Sequence, residues 1–166
     1  MVHFDPITIR QPQAHDIIDD PIKICGIAIA FEGTLQVRVR DYNGVEIAKK
    51  FFTAAGGSSW ANFQIAMPIN TIPKTPSGTL EVFEISPKDG SEIQHKVVIP
   101  IVFGRALIDP YYGFSQYQVK SGDTLSGIAK QFYRNSSLYP RIFEANRDLL
   151  SHPEQISPGQ ILRIPM

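Results

Sequence analysis

The sequence lacks the features that mark a nucleic-acid binder, a membrane protein or a disulfide-rich secreted domain. Its 166 residues carry 16 basic and 16 acidic side chains, so the basic excess of nucleic-acid binders is missing. The single cysteine, Cys25, excludes an internal disulfide. No apolar run is long enough to span a bilayer. With 43% hydrophobic and 19% charged residues, the composition is that of an ordinary globular protein.

A secretory leader is not visible at the amino terminus. The first residues, MVHFDPITIRQPQ, do not show a basic region followed by an apolar core. Together with the lone cysteine, this predicts a cytoplasmic location. A leader removed from the native protein would instead place the protein in the cell envelope.

Patterns typical of catalysis and metal binding are also missing. Cys25 lies among isoleucines in an apolar run, which predicts a buried small hydrophobe rather than a nucleophile. Strand alternation would place Glu81 and Glu84 on opposite faces, where they make a poor acid–base pair. None of the histidines has a neighbour at metal-ligand spacing: His3, His15, His95 and His152. We therefore expect a protein that is not an enzyme and that has no cofactor and no metal.

The first two thirds of the chain have the pattern of β-strands. Thr34–Arg40 alternates apolar and polar residues, Asn43-Gly44 is a strong hairpin signal, and Val45–Thr53 is its returning strand. The proline-rich Thr71–Ser77 predicts a crossing between two sheets. Strands at roughly ten-residue spacing predict a β-sandwich. The other predicted strands are Ile7–Arg10, Ile22–Phe31, one around Trp60 and Met67, Thr79–Ile85 and Ile93–Phe103.

Two segments in this region, FEGTLQVRVRDYNG and GTLEVFEISPKDGS, resemble a known family. They look like Gmad2, the immunoglobulin-like domain first named from bacterial spore-germination proteins. The resemblance covers about Ile7–Phe103. It implies an all-β immunoglobulin-like sandwich with a binding or scaffolding role, often in bacterial envelope proteins, and it indicates no functional residues.

The segment that follows, GRALIDPYYGFS, is more apolar than a free tether. We therefore expect its apolar side chains to pack on one or both domains: Leu107, Ile108, Tyr111, Tyr112 and Phe114. The predicted division of the chain is a sandwich at 1–104, a linker at 105–115 and a second domain at 116–166.

The last third of the chain predicts the order strand, helix, helix, strand. A strand begins near Tyr117 and breaks at a corner where Asp123 and Thr124 can cap a helix. A second helix is predicted at Leu138–Leu149, and Leu162 belongs to a closing strand. The first helix presents one apolar face: Leu125, Ile128, Ala129 and Phe132.

Four segments of this region, SGDTL, IFEAN, ISPGQ and LRIP, resemble LysM signatures in their usual order. The resemblance implies a small α+β domain of βααβ order. It also implies a shallow groove between two loops that binds glycans containing N-acetylglucosamine, in peptidoglycan or chitin. Peptidoglycan is the ligand that we expect here. Carried onto this sequence, the glycan-binding residues are Gly122, Asp123, Thr124, Leu125, Pro153, Gln155 and Ile156.

A structural interpretation of the same residues is available. Asp123 and Thr124 can serve as helix caps alone, and Leu125 and Ile156 can belong to the core. A LysM domain in the cytoplasm would not meet mature wall polymer. The alternative function is therefore an intracellular adaptor or structural protein that docks other proteins, for example within a phage-tail-like assembly. The expected partners are a glycan or proteins, and not nucleic acid or a membrane.

Overall fold

The protein is described by a computed structural model covering residues 5–29, 34–54, 59–85 and 93–166. Within these residues, no helix is long and apolar enough to cross a membrane. The strands are β1 (Ile7–Gln11), β2 (Ile17–Ile18), β3 (Ile22–Ala28), β4 (Thr34–Asp41), β5 (Glu46–Thr53), β6 (Ala61–Met67), β7 (Ser77–Ile85), β8 (Ile93–Phe103), β9 (Phe114–Gln118) and β10 (Ile161–Pro165). The α-helices are α1 (Gly104–Leu107), α2 (Leu125–Tyr133) and α3 (Tyr139–Ala145), with a 3-10 turn at Ser136–Leu138.

Two sheets form the predicted sandwich. One has the strand order β1-β3-β6, and the other has the order β2-β8-β7-β4-β5, in which only β2 and β8 are parallel. Alternating apolar side chains from both sheets fill the space between them, as expected where each sheet has one covered face. The innermost of these include Ile22, Ile24 and Met67 from the first sheet and Leu35, Val37, Val39, Leu80, Val82 and Ile101 from the second.

The local signals around this core are confirmed where the structure describes them. β4 and β5 form the predicted hairpin, and Gly44 has the left-handed φ of 80° that its turn requires. Thr71–Pro76 crosses from the three-stranded sheet to the five-stranded one, as its prolines predicted. The sequence also predicts turns at Glu32-Gly33 and at 86–91 and a flexible loop at 54–59. Both turns and most of the loop lie outside the described residues.

The prediction for Cys25 was wrong. β3 turns Ile22 and Ile24 toward the core, so Cys25 falls on the other face and is only half-buried. Its Sγ lies 3.9 Å from Oε1 of Gln11. The apolar sequence concealed this because one isoleucine of the strand, Ile27, also lies on the outer face, where it is half-buried.

Glu81 and Glu84 of β7 each pair with a basic side chain. Glu81 accepts from Arg38 Nε at 2.7 Å and pairs with Lys96 at 3.4 Å. Burial opposes ionisation of Glu81, but the Arg38 hydrogen bond and charge outweigh it and lower its pKa. Glu84 pairs with His95 Nδ1 at 3.1 Å.

The second domain has the predicted βααβ order, with β9 and β10 paired antiparallel. Its core is buried between this small sheet and the two helices. The second helix is shorter than the predicted Leu138–Leu149, because it begins as a 3-10 turn and ends at Ala145. It ends there because the next residue, Asn146, uses its side chain to bond the backbone.

The Asn146 side chain is fully buried and joins α3 to β10. Its Nδ2 donates to the carbonyls of Ile142 and Arg163 at 2.7 and 2.8 Å, and its Oδ1 accepts from the Arg163 amide at 2.9 Å. Both amide hydrogens therefore have partners, so the polar group is buried without a penalty for unmade bonds.

The segment predicted as a linker is only partly covered. Leu107 and Tyr111 are buried as expected, but Tyr112 is 82% exposed and Phe114 is 44% exposed. The expectation was wrong for these two because the second domain's sheet already begins here: Phe114 opens β9 and pairs with Pro165, and Tyr112 donates its amide to the Met166 carbonyl at 2.6 Å. Their side chains project from that ladder rather than into a core.

The two domains pack directly on each other. Val102 of β8 and Leu107 of α1 form a buried cluster with Ala145 of α3. Beside this cluster, Arg163 Nη1 donates to the carbonyl of His15 in the sandwich at 2.8 Å. The apolar cluster and the arginine bond together predict a preferred orientation of the domains.

Gly104, the first residue of α1, lies against the ring of Tyr111. A Cβ built on Gly104 would lie 2.4 Å from the Tyr111 ring. Replacing a helical glycine by alanine ordinarily stabilises a helix by about 1 kcal/mol. Here the clash with the ring should dominate, and Gly104→Ala should lower the free energy of unfolding by about 1–3 kcal/mol. Urea unfolding measures this, and a stabilised Gly104→Ala would contradict the packing.

Candidate functional site

The corner between β9 and α2 is held by its own side chains. Asp123 Oδ2 accepts from the Lys120 amide and from the Tyr117 hydroxyl, each at 2.8 Å. Thr124 Oγ1 accepts from the Gly127 amide at 3.0 Å and so caps α2. The sequence predicted a capping role for both residues, but only Thr124 caps the helix. Asp123 instead closes the turn before it.

These hydrogen bonds set the charge of the corner. The Lys120 amide and then the Tyr117 hydroxyl lower the pKa of Asp123 below its ordinary value of 3.8. The same bond to Asp123 raises the pKa of Tyr117 above 10.0. At neutral pH the corner therefore holds an ionised carboxylate next to a protonated phenol.

The loop before β10 lies opposite this corner. Its turn is closed by the Gln155 amide, which donates to the His152 carbonyl at 3.0 Å. The Gln155 side chain is engaged within the loop, since its Oε1 accepts from the Ser151 hydroxyl at 2.6 Å. Ile156 is half-buried against the core of the domain. This contact fixes the end of the loop relative to α2.

A groove of about 530 Å³ runs between the corner and the loop. This volume is within the range of small-ligand sites. None of the residues in the contact between the domains lines it. The lining residues are Asp123, Thr124, Leu125, Ser126, Tyr139, His152, Pro153, Glu154 and Ile156.

Comparisons with known proteins assign both halves of the chain. A family profile described as the immunoglobulin-like domain of bacterial spore germination, Gmad2, matches residues 6–91, which is more than half of the chain. The chain belongs to the Gmad2 family. A second profile, the LysM domain, matches residues 117–165. The groove therefore lies in a LysM domain, a kind of domain that supports carbohydrate binding in general.

Curated relatives share shorter stretches. The potassium binding protein Kbp of Escherichia coli is 45% identical over 83 residues, covering 45% of this chain and 56% of Kbp. Esterase Rv1288 of Mycobacterium tuberculosis is 44% identical over 61 residues, covering 37% of this chain and 12% of the esterase. A Deinococcus radiodurans protein is 45% identical over 53 residues, 32% of this chain and 20% of that protein. The matched stretch thus spans about half of Kbp and far less of the others.

Five of the seven residues predicted from the LysM resemblance line the groove. They are Asp123, Thr124, Leu125, Pro153 and Ile156. The other two lie beside it. Gly122 supplies the positive φ of 86° that the turn needs, and Gln155 turns its side chain toward Ser151.

Four lining residues were not predicted: Ser126, Tyr139, His152 and Glu154. Three of them are sequence neighbours of predicted residues, so a wider window around each loop would have included them. Tyr139 falls within the predicted second helix, in helical register with Ile142 and Phe143, which predicts a place on its apolar face. It does pack against the core, but it is only half-buried and also lines the groove.

The LysM groove offers hydrogen-bonding groups around a small apolar floor. The hydroxyl of Ser126, the imidazole of His152 and the carboxylate of Glu154 stand on exposed residues. Leu125 and Ile156 lie beneath them, buried and half-buried. Such a lining suits a hydrated ligand that carries one or two small apolar groups.

Because of its hydrogen bonds, Asp123 should make the stability of the corner depend on pH. Because its pKa is depressed in the folded state, the carboxylate stabilises the corner above its unfolded pKa of about 3.9, and the contribution is lost as pH falls through the lower folded pKa. The Lys120 amide resonance should titrate with a midpoint below 3.8. Tyr117→Phe should move that midpoint upward, because one hydrogen bond to the carboxylate is removed.

NMR titration of the isotope-labelled protein between about pH 2 and pH 6 measures this midpoint. A Lys120 midpoint at or above 3.8 would contradict the hydrogen bonding of the corner.

Proposed function

We propose that the protein is a non-enzymatic binding protein whose LysM groove holds glycan containing N-acetylglucosamine, with peptidoglycan as the natural ligand. The observation that carries this proposal is the open groove between the β9–α2 corner and the loop before β10. It lies in the LysM domain, is lined by none of the residues named above in the contact between the domains, and has a volume of about 530 Å³.

The chemistry of the groove matches an N-acetyl sugar. An N-acetyl group presents an amide donor, a carbonyl acceptor and a methyl. The exposed polar groups of Ser126, His152 and Glu154 provide donors and acceptors for the amide and the hydroxyls. Of the two apolar lining residues, the half-buried Ile156 provides a surface for the methyl, while Leu125 is only 2% exposed.

Affinity should grow with glycan length. Each hydrogen bond to a hydrated sugar contributes only about 0.5–1.5 kcal/mol, because bonds to water are exchanged for bonds to protein. A single sugar therefore binds weakly. A chain covers more of the groove for a similar loss of translational freedom, so it binds more tightly.

The geometry favours binding over hydrolysis. Ser126, His152 and Asp123 share the groove, but no hydrogen bond links the three side chains in the described structure, and Asp123 is already occupied by Tyr117 and Lys120. A serine nucleophile requires such a connected base and orienting acid. The esterase relative is matched over only 12% of its length, so its name does not assign an esterase site to this chain.

The groove can be tested by filling it. Ser126 is exposed on the first turn of α2 and lines the groove, so Ser126→Tyr should block the ligand without disturbing the core. We expect saturable binding of an N-acetylglucosamine hexamer to the unmodified protein. Ser126→Tyr should weaken it about tenfold or more, which corresponds to about 1.4 kcal/mol. Calorimetry or NMR titration with the single sugar, the hexamer and soluble peptidoglycan fragments measures both effects.

Gln131→Tyr is the matched control. It adds the same ring to the same helix at an exposed residue that does not line the groove, and it should bind the hexamer normally. No saturable binding of either the hexamer or the peptidoglycan fragments would refute the glycan proposal. Binding that survives in folded Ser126→Tyr would place the ligand elsewhere. Gly122 is unsuitable as a test position, because its φ of 86° would strain any larger residue.

A further inference from the structure

A second cavity, of about 510 Å³, lies between the two domains and shares no lining residue with the LysM groove. One wall is the sandwich segment that runs from the end of β1 through β2 to the start of β3. The other wall is formed by Phe114 of β9 and Arg163 of β10. We call this cavity the interdomain cleft. It exists only when the two domains are docked.

The sandwich wall of the cleft is acidic. Asp16, Asp19 and Asp20 line it, and Asp20 is neutralised by Arg105 at 3.1 Å. Asp16 and Asp19 are exposed, and each uses one oxygen to accept a backbone amide. Their second oxygens accept no hydrogen bond from the described residues, so they are available to a ligand.

The cationic residues of the cleft do not cancel this charge. Arg163 forms an ion pair with Asp148 and donates a hydrogen bond to the His15 carbonyl, and its Nε is buried. Lys23 also lines the cleft and is exposed, and its positive charge offsets the charge of one of the two available carboxylates. The lining therefore keeps a net negative charge and complements a cation.

Phe114 lines the same cleft as these carboxylates, and exposed side chains follow it along β9. The Phe114 ring is 44% exposed and lines the cleft, where it can receive a cation on its face. Gln116 and Gln118 are exposed on the same face of β9, and Ile161 of β10, 53% exposed, pairs with Gln118. Side-chain amides can pair with the backbone of an extended polypeptide, and Ile161 can contact an apolar side chain.

We propose that the interdomain cleft docks a short basic segment of a partner protein. A lysine or arginine side chain enters the cleft between Phe114 and the carboxylates of Asp16 and Asp19. The rest of the segment follows the outer face of β9 toward Ile161. The occupant is a polypeptide rather than a free amine, because the glutamines and Ile161 continue the surface beyond the cleft.

The test uses the full chain, isotope-labelled for NMR, and a capped five-residue peptide of glycine, lysine, leucine, lysine and glycine. Two matched peptides replace both lysines by norleucine or by glutamate. We expect the lysine peptide to shift amides of the cleft wall and of β9 and to leave the LysM groove unchanged. The norleucine and glutamate peptides should give no saturable shifts up to about 10 mM.

Asp16→Asn with Asp19→Asn should raise the Kd of the lysine peptide about tenfold, since both acceptors lose their charge. Phe114→Leu should raise it less. Asp5→Asn with Glu46→Gln removes the same charge from exposed positions outside the cleft and should leave the Kd unchanged. Because Asp16 also caps the Gln13 amide, the amide spectrum of each variant must first show the native fold.

Three results would overturn the proposal. They are the absence of saturable shifts with the lysine peptide, an equal response to the norleucine peptide, and an unchanged Kd in the folded Asp16→Asn and Asp19→Asn variant. None of them depends on whether the LysM groove binds glycan, because the two cavities share no lining residue.

Discussion

The architecture of the second half of the chain depends on the bond between the buried Asn146 amide and the Arg163 backbone. The amide ends α3 and fixes β10 beside it, with all three hydrogen bonds between 2.7 and 2.9 Å. Removing the side chain would leave the Arg163 amide and carbonyl without these partners, and such losses cost about 1–3 kcal/mol each where the groups are buried. Because this strand is held from its backbone, the Arg163 side chain is free to point outward, where it bonds Asp148 and the sandwich at His15. One residue pair therefore joins the LysM core to the contact between the domains.

The two candidate sites differ in how they are supported. The LysM groove is bordered by short loops whose ends are fixed by the core: Thr124 caps α2, and Ile156 packs beneath the opposite loop. Both walls belong to one small domain, so the groove needs no contribution from the sandwich. The interdomain cleft has one wall from each domain and depends on Arg163 and on the cluster at Val102, Leu107 and Ala145. A change that loosens the domain contact should therefore affect the cleft and spare the groove.

Most of the fold followed from local patterns, because alternation, turn residues and caps act over a few residues. Local patterns predicted the strands of the sandwich, the Asn43-Gly44 hairpin and the Thr124 cap. The two domain types were predicted from the resemblance of short segments to Gmad2 and LysM. Two of the errors came from contacts between distant segments. Asn146 was predicted to lie within the second helix. It follows the end of that helix instead, because its side chain hydrogen-bonds to the backbone of Arg163 in β10. Tyr112 and Phe114 were expected to be buried. They are exposed because β9 pairs with β10, a strand that lies far away in the sequence.

In the site, the conformation of Gln155 depends on a hydrogen bond to Ser151 that spacing alone does not specify.

The cleft shows why a binding surface can be missed even when each of its residues is visible. Asp16 and Asp19 belong to a polar loop, and Phe114 belongs to a segment that was interpreted as a linker. Neither stretch is informative alone, because single exposed carboxylates and single exposed aromatics are common on protein surfaces. They gain meaning only when docking of the domains brings the ring and the two carboxylates into the lining of one cavity. The apolar contact that docks the domains and the polar surface that it assembles are thus separate features, and a chain with the same LysM groove but a different partner domain would lack the cleft.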